Sequence, residues 1–302
     1  MLPFARVSII GLGLIGSSVA RAVRQFMPTV ALSGYDSDPE TRETARALTL
    51  VDDVADSAGA AVTDADLVIL CVPVGMMGEV ATAIADDLPA DAIVSDVGSS
   101  KASVLAALMA ALPKHVIIPA HPVAGSERSG PEAGFASLFH NRFCILTPPE
   151  GADATAITRV ESFWQRLGAN VEIMDPAHHD LVLAITSHLP HLIAYSIVGT
   201  TADLESVTQS EVIKYSAGGF RDFTRIAASD PTMWRDVFLS NKDAVLEMLQ
   251  RFSEDLTALQ RAIRWGDGDA LFDLFTRTRA VRRSIIEQGQ DTDLPDFGRT
   301  DH

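Results

Sequence analysis

The sequence predicts an α/β protein, with a doubly wound parallel sheet in the first half and an all-helical region in the second. Three observations predict it. Short β-branched, apolar runs alternate with helical stretches up to Met174. The first of these runs leads directly into a glycine-rich turn and a helix. After Met174 no strand pattern recurs, and two Asp-Pro pairs mark helix starts.

Strands are expected at 6–10, 31–35, 67–71, 92–96, 116–120, 143–147 and 171–174, with helices at 17–25, 78–87, 100–111 and 154–167. The connecting loops carry Gly, Pro and Asp, which punctuate regular structure. Pro148-Pro149-Glu150-Gly151 breaks the chain, but a helix and a strand follow it, so the predicted domains are 1–172 and 173–302. Asp175-Pro176 supplies a capping side chain and a proline at the first helical position, opening a helix to about residue 201. Asp230-Pro231 does the same for a helix to about 265, and a third runs from about 269 to 287. The tail from 289 to 302 is polar.

The chain has 302 residues, 47% of them apolar and 21% charged, an ordinary balance for a globular protein with a large core. No uninterrupted run reaches the roughly eighteen apolar residues of a membrane helix. The N-terminus reads straight into a strand rather than into an export signal. Two cysteines, Cys71 and Cys144, lie in apolar strand-like runs, which fits reduced thiols in the cytoplasm. The net charge of -16 disfavours nucleic acid and anionic membrane as partners. It also means that a small anionic substrate needs a local cluster of cations.

Gly11-Leu12-Gly13-Leu14-Ile15-Gly16 lies between the first strand and the first helix, and Asp36 ends the second strand twenty residues after Gly16. That context makes the motif a dinucleotide-binding fingerprint of Rossmann-like folds. Gly11 permits the tight turn, Gly13 the approach of a pyrophosphate, and Gly16 close helix–strand packing. The helix N-terminus, at Leu14 and Ile15, offers free N–H groups to phosphate. Asp36 would accept from the adenine ribose diol and repel a 2′-phosphate, so NAD is expected over NADP. Val72 and Pro73, at the end of the third predicted strand, would line the nicotinamide end.

Further motifs follow in order: Asp96-Val97-Gly98-Ser99-Ser100-Lys101, His121-Pro122-Val123-Ala124-Gly125-Ser126-Glu127, Ser187-His188-Leu189-Pro190-His191, and Gly218-Gly219-Phe220-Arg221-Asp222-Phe223-Thr224-Arg225-Ile226-Ala227. With the glycine loop, this set resembles the prephenate dehydrogenase family over about positions 6 to 265. The resemblance implies a Rossmann domain, an all-helical dimerisation domain, a homodimer, and a small-molecule substrate, prephenate or arogenate, bound between the domains.

Such chemistry removes a hydride from the ring carbon bearing a hydroxyl, takes the hydroxyl proton, and releases CO2 as the ring becomes aromatic. It calls for a base of near-neutral pKa, which points to His121 just past the strand 116–120. Ser99, on a neighbouring strand end, is placed to orient the hydroxyl or His121. Arg225 is the candidate carboxylate clamp, because a guanidinium offers a planar two-donor fork. Asp222, three residues before it, could pair with it when substrate is absent. His191 is expected at the substrate side chain, beyond a kink caused by Pro190, with His188 as a core histidine. Ser126 and Glu127 would border the substrate mouth. Lys101 is read as a solvent-facing residue at a helix start, and Trp164, Trp234 and Trp265 as core residues. Phe252, Leu256, Leu259 and Ile263 form an apolar stripe suited to a helix–helix dimer contact. Four histidines between 178 and 191 lack a compact carboxylate-completed ligand set, so no metal is expected.

Two rival readings remain from sequence. A β-hydroxyacid dehydrogenase shares the glycine loop but normally carries a catalytic lysine on the first helix of its second domain, and this chain has none between Lys114 and Lys214. A non-catalytic NAD-binding protein would not need His121, Ser99 and Arg225 together. As to substrate, the Ser187–His191 stretch offers imidazoles and a hydroxyl to donate to a ketone, and no acid for an ammonium. That favours prephenate over arogenate, with Glu127 as the one carboxylate that could favour the latter.

Overall fold

The structure is a computed structural model that describes residues 2–125, 128–203 and 218–287. The described chain forms two compact units, Met1–Leu246 and Glu247–His302.

The first unit opens with β1 (Arg6–Ile10), α1 (Leu14–Phe26), β2 (Ala31–Tyr35), α2 (Pro39–Ala47), β3 (Asp53–Val54), α3 (Ala58–Val62), β4 (Leu67–Leu70), α4 (Met77–Ile84), β5 (Ile93–Asp96), α5 (Ala102–Ala111) and β6 (Val116–Ile117). The six strands form one sheet in the order β3-β2-β1-β4-β5-β6, every pair parallel. The order reverses between β1 and β4, which creates a crevice at the strands' carboxyl ends. Strand β4 is buried along its whole length, as a central parallel strand covered on both faces must be.

The predicted strand 116–120 is two strands. After β6 the chain bends through Ile118 and Pro119 into β7 (Ala120–Pro122), which pairs antiparallel with β8 (Phe143–Leu146). Strand β8 pairs parallel with β9 (Asn170–Ile173), across α6 (Ala154–Arg166). The seven predicted strands thus divide between two sheets, and the short β3 was not predicted. Pro119 explains the split: it has no N–H to continue the ladder, and its carbonyl instead accepts from Thr147 N at 3.0 Å. Phe139, Phe163 and Trp164 pack edge to face at the heart of the core beneath α6.

The helical run begins at α7 (Pro176–Leu183), capped by the Asp175 carboxylate on Ala177 N and His178 N. It widens into a π-helical turn, Ala184–His188, then continues as α8 (Leu189–Ala202). The Leu189 N–H reaches back five residues to the Ala184 carbonyl. The predicted disturbance near Pro190 therefore takes the form of a π-turn just before it, a form common at functional sites. Residues 176–201 are long and apolar enough to cross a membrane, which a count of uninterrupted apolar residues overlooks. His179, Asp180 and His188 on this run are buried against protein groups.

Next come α9 (Gly218–Thr224), a 3-10 turn at Arg225–Ala228, and α10 (Pro231–Ser240). The predicted helix 231–265 breaks at Asn241, whose side chain bonds outside the helix, and resumes as α11 (Lys242–Trp265), which crosses into the second unit. Among the described residues, the last element of that unit is α12 (Gly268–Glu287). Trp164 and Trp234 are buried as expected, but Trp265 is 73% exposed, with the Arg261 guanidinium over its ring, so the core assignment for Trp265 is corrected.

Candidate active site

The cofactor end is built from backbone. Gly11 sits at φ +98, where a side chain would be strained, and an added Cβ would lie 2.5 Å from the Cys71 carbonyl oxygen. At Gly16 a Cβ would collide with the Gly11 carbonyl oxygen, so only glycine lets α1 approach β1 this closely. Gly13 has nothing within 4 Å of an added Cβ, so the turn leaves open space there. No side chain caps α1, and its first turn carries no acid, which leaves its N–H groups and positive dipole end available to an anion. Asp36 is fixed across the crevice: its carboxylate accepts from Leu12 N at 2.8 Å and Asp38 N at 3.0 Å. This donor set, an open glycine and a pinned carboxylate at the end of β2, fits a dinucleotide with a free ribose diol. Val72 is half-buried and Pro73 exposed, both past the end of β4.

The other end is built from side chains held by long-range contacts. His121 lies within β7, in register with Ile145, and keeps 8% exposure. Its strand is tied to the main sheet by Lys101. That lysine was expected to face solvent, yet it is fully buried: its ammonium pairs with Asp96 at the end of β5 and donates to the Ala120 carbonyl at 2.8 Å. The predicted helix 100–111 starts only at Ala102, and Lys101 points inward before it. Burial lowers the Lys101 pKa and raises that of Asp96, each shift opposed by the partner's charge. Removing either partner would strand a buried charge, which typically costs about 3–5 kcal/mol.

His121 Nδ1 lies 2.8 Å from His179 Nε2, and His179 Nδ1 lies 2.9 Å from Asp180 Oδ1. The Asp180 carboxylate also accepts from Lys101 N at 2.7 Å and Ala102 N at 2.9 Å, so it caps α5 from α7. Burial holds His121 well below the ordinary histidine pKa, and His179, Lys101 and His188 add to that depression. Burial lowers His179 too, against the opposing pull of Asp180.

His188 is fully buried, with its pKa depressed by burial to about 4. Asn241 Nδ2 lies 3.1 Å from His188 Nδ1 and donates to the Asp180 carbonyl at 2.8 Å, which locks the break before α11 onto α7. His191 Nδ1 faces the Ser187 carbonyl at 2.8 Å, and its ring stacks on Trp234 with centroids 3.7 Å apart. Burial lowers the His191 pKa, and the charge of Arg225 lowers it further, which puts the guanidinium within electrostatic reach of the imidazole. The segment carrying Arg225 is anchored by Tyr195, whose hydroxyl donates to the Ser229 carbonyl at 2.7 Å. Arg225 itself is exposed and Asp222 half-buried. Arg221 and Arg225 are separated by the change from α-helix to 3-10 turn.

Of the sequence-predicted site residues, the structure brings His191 and Arg225 within electrostatic range of each other. Ser99 is half-buried at the end of β5, its backbone facing the His188 ring, and no hydrogen bond joins it to His121 among the described residues. Ser126 and Glu127 lie outside the described residues. Sequence reasoning missed the partners of His121: it counts His179 only within the histidine-rich stretch, and does not read Asp180 as a partner. The usable signal was the helix start at Asp175-Pro176, from which 179, 180, 183 and 184 make one inward stripe.

Two family profiles match the chain: "Prephenate dehydrogenase, nucleotide-binding domain" over residues 19–173 and "Prephenate dehydrogenase, dimerization domain" over residues 175–277. The chain belongs to the prephenate dehydrogenase family. It is 47% identical to the cyclohexadienyl dehydrogenase of Zymomonas mobilis, covering 94% of this chain and 97% of that one. It is 34% identical to the prephenate dehydrogenase of Bacillus subtilis, covering 92% of this chain and 76% of that one. Among solved structures, prephenate dehydrogenase from A. aeolicus in complex with hydroxyphenyl propionate and NAD+ superposes with a TM-score of 0.87 at 34% identity, covering 94% of this chain and 98% of that one. The chain is therefore a dehydrogenase with a Rossmann-like nucleotide-binding domain and a helical domain of the dimerisation type.

Proposed function

We propose that this dehydrogenase converts prephenate to 4-hydroxyphenylpyruvate and CO2 in tyrosine biosynthesis, with NAD as hydride acceptor. The carrying observation is His121: a buried, neutral imidazole on β7, tied through Ala120 to the carboxyl end of β5. The cofactor is NAD, as in the A. aeolicus complex, and the open glycine turn and pinned Asp36 suit it. Held by the Gly11–Gly16 turn and Asp36, NAD would supply the acceptor for the hydride on the ring carbon that bears the hydroxyl. His121 takes the hydroxyl proton, and Ser99 orients that hydroxyl from the neighbouring strand end. Arg225 binds a substrate carboxylate as a charged fork, with Asp222 as its partner when substrate is absent, and His191 lines the side-chain end. An acidic chain binds this dianion because Arg225 supplies local positive charge.

The domains divide near residue 172, and the helical region joins two copies. A matched dimerisation domain and a largely uncovered apolar stripe on α11, with Leu256 and Ile263 exposed, support a homodimer.

A second reading, activity on both prephenate and arogenate, has two observations in its favour. The Zymomonas mobilis relative is a cyclohexadienyl dehydrogenase. In addition, His191 spends its Nδ1–H on the Ser187 carbonyl, so its neutral ring offers Nε2 as an acceptor, which suits an ammonium rather than a ketone. This weakens the sequence-based preference for prephenate. The test is growth of NADH absorbance on adding each substrate to purified protein with saturating NAD. Turnover of prephenate is expected, with arogenate within about tenfold in kcat/KM. No turnover of prephenate would overturn the first reading, and none of arogenate the second.

A further inference from the structure

The chain of contacts from His121 to Asp180 assigns a proton to each ring nitrogen. The Asp180 carboxylate accepts from the Lys101 and Ala102 N–H groups and has no proton to give. His179 must therefore donate to it from Nδ1. A neutral His179 then carries its lone pair on Nε2, which faces His121 Nδ1 at 2.8 Å. Two lone pairs cannot meet at that distance, so His121 Nδ1 must hold the hydrogen. In a neutral ring that leaves Nε2 as the basic atom.

We propose that His179 and Asp180 are positioning residues that hold His121 in the Nδ1–H tautomer, so that its Nε2 receives the substrate's hydroxyl proton. The proposal rests on the reading of His121 as the base. An isolated imidazole in water favours the opposite, Nε2–H tautomer, so without this pair the ring would mostly present a proton where a lone pair is needed. The transfer is balanced: the hydroxyl O–H breaks, Nε2–H forms, and the imidazolium keeps its Nδ1–H on His179. The positive charge then lies two hydrogen bonds from the Asp180 carboxylate. The other groups facing the pair are Asp96 on β5, Lys101 just before α5, His188 on the π-turn and Cys144 on β8. Lys101 and His188 disfavour added positive charge on His121, which makes the facing carboxylate the compensating partner.

The same Asp180 carboxylate caps α5, so the cap and the tautomer are set by one side chain. Substituting it would disturb both, and His179 is the cleaner probe. Partners that orient a metal-bound histidine are typically worth about 10–100-fold, and the same order is expected for this histidine. His179→Ala is expected to lower kcat by about that factor, with KM for prephenate and NAD affinity within about twofold. His179→Gln, whose carbonyl can still accept from Nδ1–H, is expected to recover to within about fivefold of wild type. Because His179 is fully buried and the alanine variant can misfold, the deciding measurement uses the wild-type protein. Long-range 15N–1H spectra of labelled enzyme at neutral pH should show His121 protonated at Nδ1 and bare at Nε2. An Nε2–H signal would overturn the proposal, as would a glutamine variant that is folded yet as slow as the alanine one. A His121→Asn enzyme with near-normal turnover would instead refute the base assignment, whatever the tautomer in wild type.

Discussion

The two ends of this site are made in opposite ways. At the cofactor end the recognition is backbone geometry from one short stretch: a turn at Gly11–Gly16, an uncapped helix, and one carboxylate twenty residues away. At the proposed substrate end, five side chains form one hydrogen-bonded cluster: Asp96 on β5, Lys101 just before α5, His121 on β7, and His179 and Asp180 on α7, with Lys101 and Asp180 79 positions apart. The first kind of site tolerates change in side chains and fails when a glycine acquires a Cβ. The second kind fails when any one partner is removed, because each buried polar group depends on the others.

The largest test of that contrast is His121→Asn. It should reduce kcat by about 10²–10⁴-fold, the usual worth of a general base, while NAD affinity measured by calorimetry stays within about twofold. Loss of NAD binding would mean that the two ends are not separable. Next in size is Arg225→Ala, which should raise KM for prephenate about 10–100-fold, the equivalent of about 1.5–3 kcal/mol for a hydrogen bond to a charged group. An unchanged KM would move the anion to Arg221 or another cation.

The same contrast explains what could be read in advance. The parallel sheet and its helices follow from local periodicity, and the glycine loop is legible because its meaning is local. The split of strand 116–120 was missed because Pro119 acts through the pairing partner β8, which is distant in sequence. His121 and Arg225 were marked by motifs, but the environment of His121 was not. Nothing local distinguishes Lys101 from a surface lysine at a helix start; its burial depends on Asp96 and on the bend after β6. Asn241 could not be seen to end a helix, because its partners are the Asp180 carbonyl and His188.

Acid should damage the substrate end first. His188 is held near pKa 4 in the folded protein against about 6.5 for an ordinary histidine, so between those pH values the unfolded chain binds more protons. Its contribution to stability is complete above about pH 6.5 and is lost as the pH falls toward 4. The shift corresponds to on the order of 3 kcal/mol, and the lowered pKa values of His121, His179 and His191 act in the same direction. Urea unfolding from pH 7 to 4.5 should show this decline, and His188→Asn should flatten it. An equally steep decline in that variant would place the sensitivity elsewhere.

The smallest expected effect, and the sharpest test of the cofactor end, is the choice between NAD and NADP. In the proposed reading Asp36 does two jobs: it holds the loop through Leu12 N and Asp38 N, and it would present negative charge to a 2′-phosphate. Arg42 lies beside it, with its guanidinium on the Asp36 carbonyl at 2.6 Å and over the Tyr35 ring. Asp36→Ser would remove the repulsion and leave that cation in place, so the NADP to NAD ratio of kcat/KM should rise by about tenfold, or about 1.4 kcal/mol. NAD affinity should also weaken, because serine cannot accept from both N–H groups as the carboxylate does. Asp36→Asn separates the two jobs: its side-chain carbonyl can still take one N–H, and the charge is gone. If charge decides, the asparagine and serine variants will shift the ratio alike, with asparagine keeping more NAD affinity. If only the loop matters, asparagine will behave like wild type in the ratio. A wild-type enzyme that uses both cofactors equally would show that Asp36 does not discriminate between them.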